Sequence, residues 1–380
     1  MTSTVQQAAR ATDPDRGTGP APAPDPGARP EAAVDTAAEP WTGRDDGPGP
    51  EHLRWHRAVT PYPAAARADG RQQATGCAWD AAGEWDAAFV GFRSDEGVRR
   101  NKGRPGAADG PGALRRALAP VALQTPLRAL DAGDIEVGDG DLAAGQRRLG
   151  RAVTALLDHG RPVVVLGGGH EVAYGSYLGL AGSRALRDGA RLGVLNLDAH
   201  FDLRDDARPS SGTPFLQMAE DEEAAAREPN YWVLGVSAPS NTERLYRTAD
   251  RLGVRYLPDT ACGLLHMHRV DAFVDDFLAS CDLVHLSIDL DVLPAAVAPG
   301  VSAPAAYGVP LEVVEHVCAK VAASGRLAVC DVAELNPDLD ADHRTARTGA
   351  RLVHRILTGA AGARQVPAAA AASSRAGLGR

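Results

Sequence analysis

The sequence predicts an α/β protein in which a mostly parallel sheet carries helices on both faces. Apolar, strand-like segments alternate with helix-like segments along most of the chain, and this alternation is typical of parallel sheets. Residues 162–166 form a continuous apolar run, as expected of a strand that is covered on both faces. Polar clusters directly follow several of these segments. Because ligands bind beyond the carboxyl ends of such strands, we expect the functional site there.

The elements follow one another in a regular order. Segments rich in Val, Leu, Ile and Phe are predicted as strands, and the longer segments between them are predicted as helices. The predicted strands are 87–92, 128–135, 162–166, 191–197, 231–236, 254–257, 283–290 and 326–332. The predicted helices are 112–119, 141–159, 172–181, 241–252, 270–279, 311–324 and 344–357.

Composition sets the expected extent of the folded domain. The chain has 380 residues, 44% of them hydrophobic, which is enough for a large core. Residues 1–50 are rich in Pro, Ala, Gly and Asp, so they offer too little apolar surface to offset the entropy of ordering them. The segment 364–380 is rich in Ala, Arg and Gly. We expect disorder at 1–50 and 364–380 around a single domain at 51–363.

Charge and cysteine content exclude several classes of protein. The net charge of −9 disfavours a nucleic-acid binder, which needs a basic surface. The five cysteines contain no CxxC pair, which argues against a disulfide framework or a zinc-thiolate site, and Cys281, Cys318 and Cys330 are expected to be buried. Neither a membrane span nor a signal peptide is evident. These features predict a cytoplasmic protein that does not interact with membranes.

Three polar motifs at the ends of predicted strands contain side chains that suit metal ions. Side chains of an extended chain alternate between faces, so residues 198, 200 and 202 should point to one side, as should 289 and 291. Buried carboxylates repel one another unless a cation compensates them. The candidate ligands are His170, which follows three glycines, then Asp198, His200 and Asp202 in the second motif, and Asp289 and Asp291 in the third.

Each motif also has an ordinary explanation when it stands alone. His170 could be incidental to a glycine turn, and the pair Asp289 and Asp291 could be a capping or solvated pair. The Asp-x-His-x-Asp motif at 198–202 is harder to dismiss, and the three together favour a dinuclear metal site. Four carboxylates and two imidazoles without a thiolate favour Mn²⁺ over Fe²⁺, Co²⁺ or Zn²⁺. Four negative charges also balance two divalent ions.

The three motifs resemble, in order and spacing, those of the arginase–agmatinase (ureohydrolase) family, over about residues 87–360. The resemblance implies a three-layer α/β/α sandwich, two Mn²⁺ ions per subunit and a homo-oligomer, either a trimer or a hexamer. A fourth motif at 331–337 also fits, and in it the resemblance assigns Glu334 to a cationic amidine or guanidine. Taken alone, Glu334 could be a solvated carboxylate. The implied ligands are His170, Asp198, Asp202 and Asp289 for one ion, and Asp198, His200, Asp289 and Asp291 for the other.

Two departures from the family pattern point to one of its branches. Arginases and agmatinases carry a His where this chain has Ser211, and they carry an Asp-Pro after the third motif that residues 292–300 lack. At these positions, and in the stretch 94–104, the sequence resembles the branch of the family that hydrolyses N-formimidoyl-L-glutamate. Such a substrate is a small amidine with two carboxylates.

The arginines of the predicted site suit those carboxylates. Arg204 lies two residues after a predicted ligand, where its guanidinium could hold a carboxylate through two hydrogen bonds. An arginine there would also repel the cationic end of agmatine. Alternatively, the arginines of the stretch 94–104 belong to an ion-paired structural loop. The candidate substrate-binding residues are Arg204, Arg99, Arg100, Arg104 and Ser211.

By the same resemblance, the expected reaction is attack of a metal-bridging hydroxide on the formimidoyl carbon, as a step in histidine degradation. Asp202 would shuttle a proton to the departing amine, and Glu334 would help to stabilise the tetrahedral intermediate. Another ureohydrolase activity, on a guanidino acid such as guanidinobutyrate or on agmatine, is one alternative. A catalytically silent subunit that binds metal is another. A nucleotide-binding enzyme is disfavoured, because the glycines at 167–169 do not form a phosphate-loop motif.

Overall fold

The computed structural model describes residues 34–62 and 83–365. Its strands are β1 (Val59–Pro61), β2 (Ala87–Arg93), β3 (Ala129–Glu136), β4 (Val163–Leu166), β5 (Leu192–Leu197), β6 (Tyr231–Val236), β7 (Arg255–Pro258), β8 (Leu283–Asp289) and β9 (Leu327–Ala333). They form one sheet in the order β1-β3-β2-β4-β9-β8-β5-β6-β7, and every neighbouring pair is parallel. The predicted parallel sheet is confirmed.

Helices cover both faces of this sheet. They are α1 (Trp55–Ala58), α2 (Glu96–Arg100), α3 (Gly110–Leu118), α4 (Leu142–Leu157), α5 (Val172–Ala181), α6 (Arg184–Arg187), α7 (Pro214–Ala224), α8 (Glu243–Arg251), α9 (Met267–Ser280), α10 (Leu311–Ala323) and α11 (Arg344–Gln365). In β4, Val164 and Leu166 belong to a core that includes α3, α9, α10 and α11, whereas Val163 and Val165 belong to one that includes α4 and α5. The predicted three-layer arrangement is therefore confirmed.

The four strands that carry the polar motifs are neighbours in the middle of the sheet. Their order is β4, β9, β8, β5, although they are far apart in the chain. Within β8, the apolar side chains of Val284, Leu286 and Ile288 face one core, and the residues between them, His285 and Ser287, are polar and fully buried. The carboxyl ends of these strands therefore bring polar groups from four chain segments to one edge.

The prediction that residues 1–50 are disordered, with the domain starting at residue 51, is wrong for residues 34–50, which contact the sheet. Trp41 is 9% exposed and donates a hydrogen bond from Nε1 to Oδ2 of Asp131, at 2.8 Å. Thr36 forms an antiparallel bridge with Asp134. Composition missed this contact because a few residues that dock onto an existing sheet need little apolar surface of their own. The expectation of disorder at 1–33 lies outside the described residues.

The other predicted boundaries differ less from those in the structure, although two elements were not predicted. Helix α11 ends at Gln365, two residues after the expected domain end, and residues 366–380 lie outside the described part. Helix α7 was not predicted, since its acidic stretch masks the apolar face formed by Phe215, Leu216 and Met218. Strand β1 was also missed, because it has only three residues.

Two further expectations concern thiols and membranes. The thiols of Cys281, Cys318 and Cys330 are free and buried, as predicted, and Cys262 is too. Cys77 lies outside the described residues. Within 34–62 and 83–365, no helix combines the length and apolar character that a membrane span requires.

Candidate active site

The loop after β4 delivers His170 to the edge of the sheet. Three glycines precede it, and a Cβ atom on Gly168 would lie only 1.8 Å from the backbone oxygen of Ser94. Only glycine allows the loop to approach the segment after β2 so closely. The backbone nitrogen of Gly169 also donates to this oxygen, at 2.9 Å. The glycines therefore hold the first predicted ligand against the stretch 94–104.

The ring of His170 faces three carboxylates. Its Nδ1 lies 3.2 Å from Oδ2 of Asp198, 2.9 Å from Oδ2 of Asp202 and 3.2 Å from Oδ2 of Asp289. The structure thus brings together the four side chains expected around one ion. They come from the loops after β4 and β5 and from the end of β8.

A second group shares Asp198 with the first. Nδ1 of His200 lies 3.3 Å from Oδ1 of Asp198 and 3.1 Å from Oδ2 of Asp291. Asp198 therefore directs one oxygen to each histidine, as a bridging ligand would. Asp289, which was also expected to bridge, instead accepts a hydrogen bond on Oδ1 from the backbone nitrogen of Asp291, at 2.8 Å. Its bridging role stays a prediction.

The second motif converges for a different reason from the predicted one. Strand β5 ends at Leu197, so strand alternation does not orient the residues after it. Asp202 has a φ of 49°, in the left-handed region that non-glycine residues seldom adopt. The loop conformation, and not an extended strand, turns its carboxylate toward His170. Such a strained position is typical of functional sites.

The donor set fits divalent cations. Burial would lower the pKa of His170, but its contacts with Asp198, Asp202 and Asp289 raise it well above the usual value. Burial raises the pKa of Asp289 as well, and the nearby Asp291 adds to this effect. Nδ1 of His170 and Oδ1 of Asp291 are buried and make no hydrogen bond with the described residues. Imidazole and carboxylate groups crowded in this way match the ligands that Mn²⁺ prefers.

A series of buried hydrogen-bonding side chains contacts the Nε2 side of the His170 ring. Oγ of Ser287 lies 2.9 Å from Nε2 of His170 and donates to Oδ1 of Asp331, whose Oδ2 contacts Nε2 of His285. With a proton on Nε2 of His170, this nitrogen donates to Oγ of Ser287, which itself donates to Asp331, and the lone pair of Nδ1 faces the carboxylates. Partners of this kind orient metal-binding histidines.

Phe215 orients the same ring from another side. It meets His170 edge to face, with ring centroids 5.4 Å apart, and stacks on Tyr231 at 4.4 Å. Phe215 lies in the first turn of α7, so this unpredicted helix contributes directly to the site.

Glu334 lies beside the ligands, at the end of β9. It has a φ of 67°, its Oε1 accepts a hydrogen bond from the backbone nitrogen of His170 at 2.9 Å, and burial together with the nearby Glu171 raises its pKa to about 8. Glu171 accepts hydrogen bonds from Oγ of Ser94 at 2.8 Å and from the backbone nitrogen of Gly97 at 2.9 Å. Glu171 thus ties the ligand loop to the stretch 94–104.

Five of the six candidate ligands, together with Glu334, border a cavity of about 350 Å³. Its acidic floor contains six predicted site residues, and its wall contains three more. The floor residues are His170, His200, Asp202, Asp289 and Asp291, with Glu334 beside them. The wall residues are Arg104, Arg204 and Ser211 from the predicted set, together with Asn101, Lys102, Gly103, Leu245, Ser302 and Ala303.

The structure separates the predicted arginines into two groups. Arg204 and Arg104 border the cavity, whereas Arg99 and Arg100 do not. Arg99 pairs with Asp95 and Glu96. Arg100 also pairs with Glu96 and donates to two backbone oxygens. For these two, the alternative of an ion-paired structural loop describes the observed contacts.

Several residues of the site were not singled out from the sequence. Three of them are Glu171, which follows His170, and Ser287 and Asp331, which lie in the third and fourth polar motifs. Their contacts join different strands and loops, so the spacing in the sequence could not reveal them. Lys102 stands inside the stretch 94–104, among several arginines. Its side chain differs from theirs only in the folded protein, where it borders the cavity and has no partner among the described residues.

The chain is similar to formimidoylglutamases in sequence and in fold. A formimidoylglutamase of Rhodococcus opacus (strain B4) is 58% identical over 319 residues, which cover 84% of this chain and 95% of that protein. A formimidoylglutamase of Nocardia farcinica (strain IFM 10152) is 60% identical over 318 residues, which cover 84% and 96%. The crystal structure of Trypanosoma cruzi formiminoglutamase with Mn²⁺₂ superimposes with a TM-score of 0.63 at 26% identity, and the match covers 72% of this chain and 93% of that one.

The model of the arginase family matches residues 85–359. This range contains the sheet from β2 to β9 and all six candidate ligands. On the fold, the site and these matches, the chain belongs to the arginase family.

Proposed function

We propose that this chain hydrolyses N-formimidoyl-L-glutamate to L-glutamate and formamide. The observation that carries the proposal is one cavity with an acidic floor, which suits a cationic amidine, and a basic wall, which suits carboxylates. The high identity with formimidoylglutamases supports the same substrate.

The amidine end of the substrate fits the floor of the cavity. A protonated formimidoyl group is a cation, and the carboxyl group of Glu334 borders the cavity beside the candidate metal ligands. An adjacent cation favours the ionised form of a buried carboxyl, so substrate binding would offset the high pKa of Glu334. This contact would hold the formimidoyl group next to the candidate metal ligands, since Glu334 accepts a hydrogen bond from the backbone nitrogen of His170.

The carboxylates of the substrate fit the cationic side chains that border the same cavity. No hydrogen bond or ion pair of the Arg204 guanidinium is found among the described residues, and the side chain is exposed and borders the cavity. It can therefore hold a carboxylate through two hydrogen bonds. The predicted contributions of Arg104 and Ser211 are retained, since both border the cavity. Arg99 and Arg100 are left out of the proposal because they do not border the cavity.

The candidate ligands would hold two Mn²⁺ ions per subunit. Bound there, the ions would lower the pKa of a water molecule to give the nucleophile and would stabilise the developing negative charge. Asp202 borders the cavity and would accept the proton of the attacking water and deliver it to the departing nitrogen. The C–N bond breaks, the oxygen of water stays in formamide, and the proton leaves on glutamate.

The test is release of formamide and glutamate from N-formimidoyl-L-glutamate by manganese-loaded protein. L-Arginine, agmatine and guanidinobutyrate are assayed alongside, with metal-free protein as the control. Turnover of the formimidoyl compound alone supports the proposal. Urea release from a guanidino compound would keep the metal site but replace the substrate, and no turnover by fully loaded protein would favour a silent metal-binding subunit.

The proposal also covers the oligomeric state, the cellular setting and the bounds of the domain. We infer a homo-oligomer, trimeric or hexameric as the family resemblance implies, which light scattering on purified protein would test. The four buried free thiols support a reducing, cytoplasmic setting. The single domain would run from residue 34 to about 365, and limited proteolysis would locate its ends.

A further inference from the structure

Lys102 occupies a backbone position that glycine usually takes. It follows helix α2 and has a φ of 63°. Its backbone nitrogen donates to the oxygen of Arg99 at 3.1 Å, and the nitrogen of Gly103 donates to the oxygen of Val98 at 2.8 Å. These two bonds define a Schellman motif with Lys102 in the left-handed position. Glycine adopts that conformation without a steric penalty, whereas the Cβ atom of a lysine makes it unfavourable.

A residue held in an unfavourable backbone conformation suggests that its side chain is needed. The side chain of Lys102 is exposed and borders the cavity. No hydrogen bond or ion pair of its Nζ is found among residues 34–62 and 83–365. The other lysine of the chain behaves differently, because Lys320 pairs with Asp271 at 2.9 Å and with Asp275 at 2.8 Å. Lys102 is therefore a cation that remains available to a ligand.

The loop of Lys102 contacts the loop of Arg204. Nδ2 of Asn101 donates to Oγ of Ser211 at 3.1 Å. A Cβ atom on Gly212 would lie 2.6 Å from Cδ of Arg204 and 3.2 Å from Nδ2 of Asn101. Arg204 and the residue before Lys102 therefore border the same glycine. Two available cations, on two different loops, belong to one wall of the cavity.

Arg104 is less available, although it borders the same cavity. Its Nε donates to the backbone oxygen of Ser302 at 2.9 Å, and its Nη2 donates to the backbone oxygen of Val301 at 2.6 Å. These bonds fix the far end of the loop and occupy two of the guanidinium nitrogens. Among the three cations of this wall, Lys102 and Arg204 are the two whose charged groups have no partner within the described part of the chain.

We infer that Lys102 is a specificity-determining residue that binds one of the two substrate carboxylates, while Arg204 binds the other. This inference rests on the proposed function for the identity of the dicarboxylate. Two cations on separate loops match a substrate with two separated anionic groups. A charge-assisted contact between an ammonium and a carboxylate is stronger than a neutral hydrogen bond, so its loss should be measurable in KM.

The kinetic test compares three substrates. N-Formimidoyl-L-glutamate has both carboxylates, N-formimidoylglycine keeps only the α-carboxylate, and N-formimidoyl-4-aminobutanoate keeps only the distal one. We expect Lys102→Gly and Lys102→Ala to raise KM for the glutamate derivative by roughly 10- to 100-fold, with kcat changed much less. The same variants should raise KM for one single-carboxylate compound and leave the other unchanged. Lys320→Ala removes an equal charge far from the cavity and is the matched control.

The glycine variant separates binding from folding. Because glycine suits the left-handed position, Lys102→Gly should unfold at an equal or higher urea concentration than wild type. A loss of affinity in a protein of equal stability therefore reports on the side chain. Equal KM changes for all three substrates, or none, would overturn the inference. Absence of wild-type turnover would instead overturn the proposed function.

A footprint that does not depend on turnover completes the test. The chain has only two lysines, so acetylation by an amine-selective reagent gives two side-chain signals that mass spectrometry resolves. We expect L-glutamate to slow acetylation of Lys102 in the manganese-loaded protein and to leave Lys320 unchanged. Equal rates at Lys102 with and without L-glutamate would contradict the inference, even if the enzyme hydrolyses the proposed substrate.

Discussion

Ser287 connects His170 to Asp331, and replacing it with alanine isolates the effect of that buried connection on metal binding. The side chain of Ser287 is fully buried, and Ser287→Ala removes one oxygen without adding bulk. Nε2 of His170 then loses its partner at 2.9 Å. The proton of His170 would be better placed on Nδ1, where it faces three carboxylates, and a metal ion would have to displace it.

The size of the effect follows from the cost of an unpaired group. A buried donor without an acceptor costs about 1–3 kcal/mol, and this cost applies to the metal-bound form, in which Nδ1 cannot carry the proton. The expected result is a dissociation constant for manganese that is roughly 5- to 150-fold higher. Losses of this order are typical when a partner of a metal-binding histidine is removed.

The assay is calorimetric titration of metal-free protein with Mn²⁺, with urea denaturation as a check on folding. Ser176→Ala is the matched control, because Ser176 is also fully buried and its Oγ has no hydrogen-bond partner among the described residues. The reasoning is refuted if Ser287→Ala binds manganese within twofold of wild type, or if Ser176→Ala weakens binding equally.

Three other predictions concern the ligands, the glycine loop and the N-terminal segment. Asp291→Ala should lose one of two metal ions and nearly all turnover; elemental analysis finding both ions, with normal turnover, would contradict the ligand assignment. Gly168→Ala would place a Cβ 1.8 Å from the oxygen of Ser94, so we expect a loss of about 1–3 kcal/mol in urea denaturation, and an unchanged midpoint would argue against that contact. Trp41→Phe removes the hydrogen bond to Asp131 and should cost about 1–3 kcal/mol; an unaltered free energy of unfolding would mean that residues 34–50 do not stabilise the domain.

The candidate metal ligands show how far the sequence leads. All six were singled out from it, because each stands at or shortly after the end of an apolar strand, where an ionisable group is costly unless it has a partner. The structure brings their side chains together, and their role as ligands stays a prediction. The reason given for the second motif was nevertheless wrong. Asp202 reaches His170 through a left-handed backbone conformation, which no periodicity in the sequence reveals.

The arginines predicted to bind substrate show the opposite case. Arg99, Arg100, Arg104 and Arg204 are equivalent in the sequence, since each is a cation near the end of a predicted strand. In the structure, carboxylates or backbone oxygens engage Arg99 and Arg100 away from the cavity. Whether a cation is free depends on neighbours that folding supplies, so residue type alone could not separate these arginines or single out Lys102.

By itself, the sequence determined the parallel α/β sheet, the edge where the site lies and the six candidate ligands. Hydrophobic periodicity and the cost of burying charge are local properties, and both can be read along the chain. Only the tertiary structure decided which strands are neighbours, how Ser287 and Asp331 support His170, that Trp41 docks on β3, and which cations face the cavity. Those features depend on contacts between segments that are distant in the sequence. His170 and Glu334, for example, are 164 residues apart. No local pattern encodes such contacts.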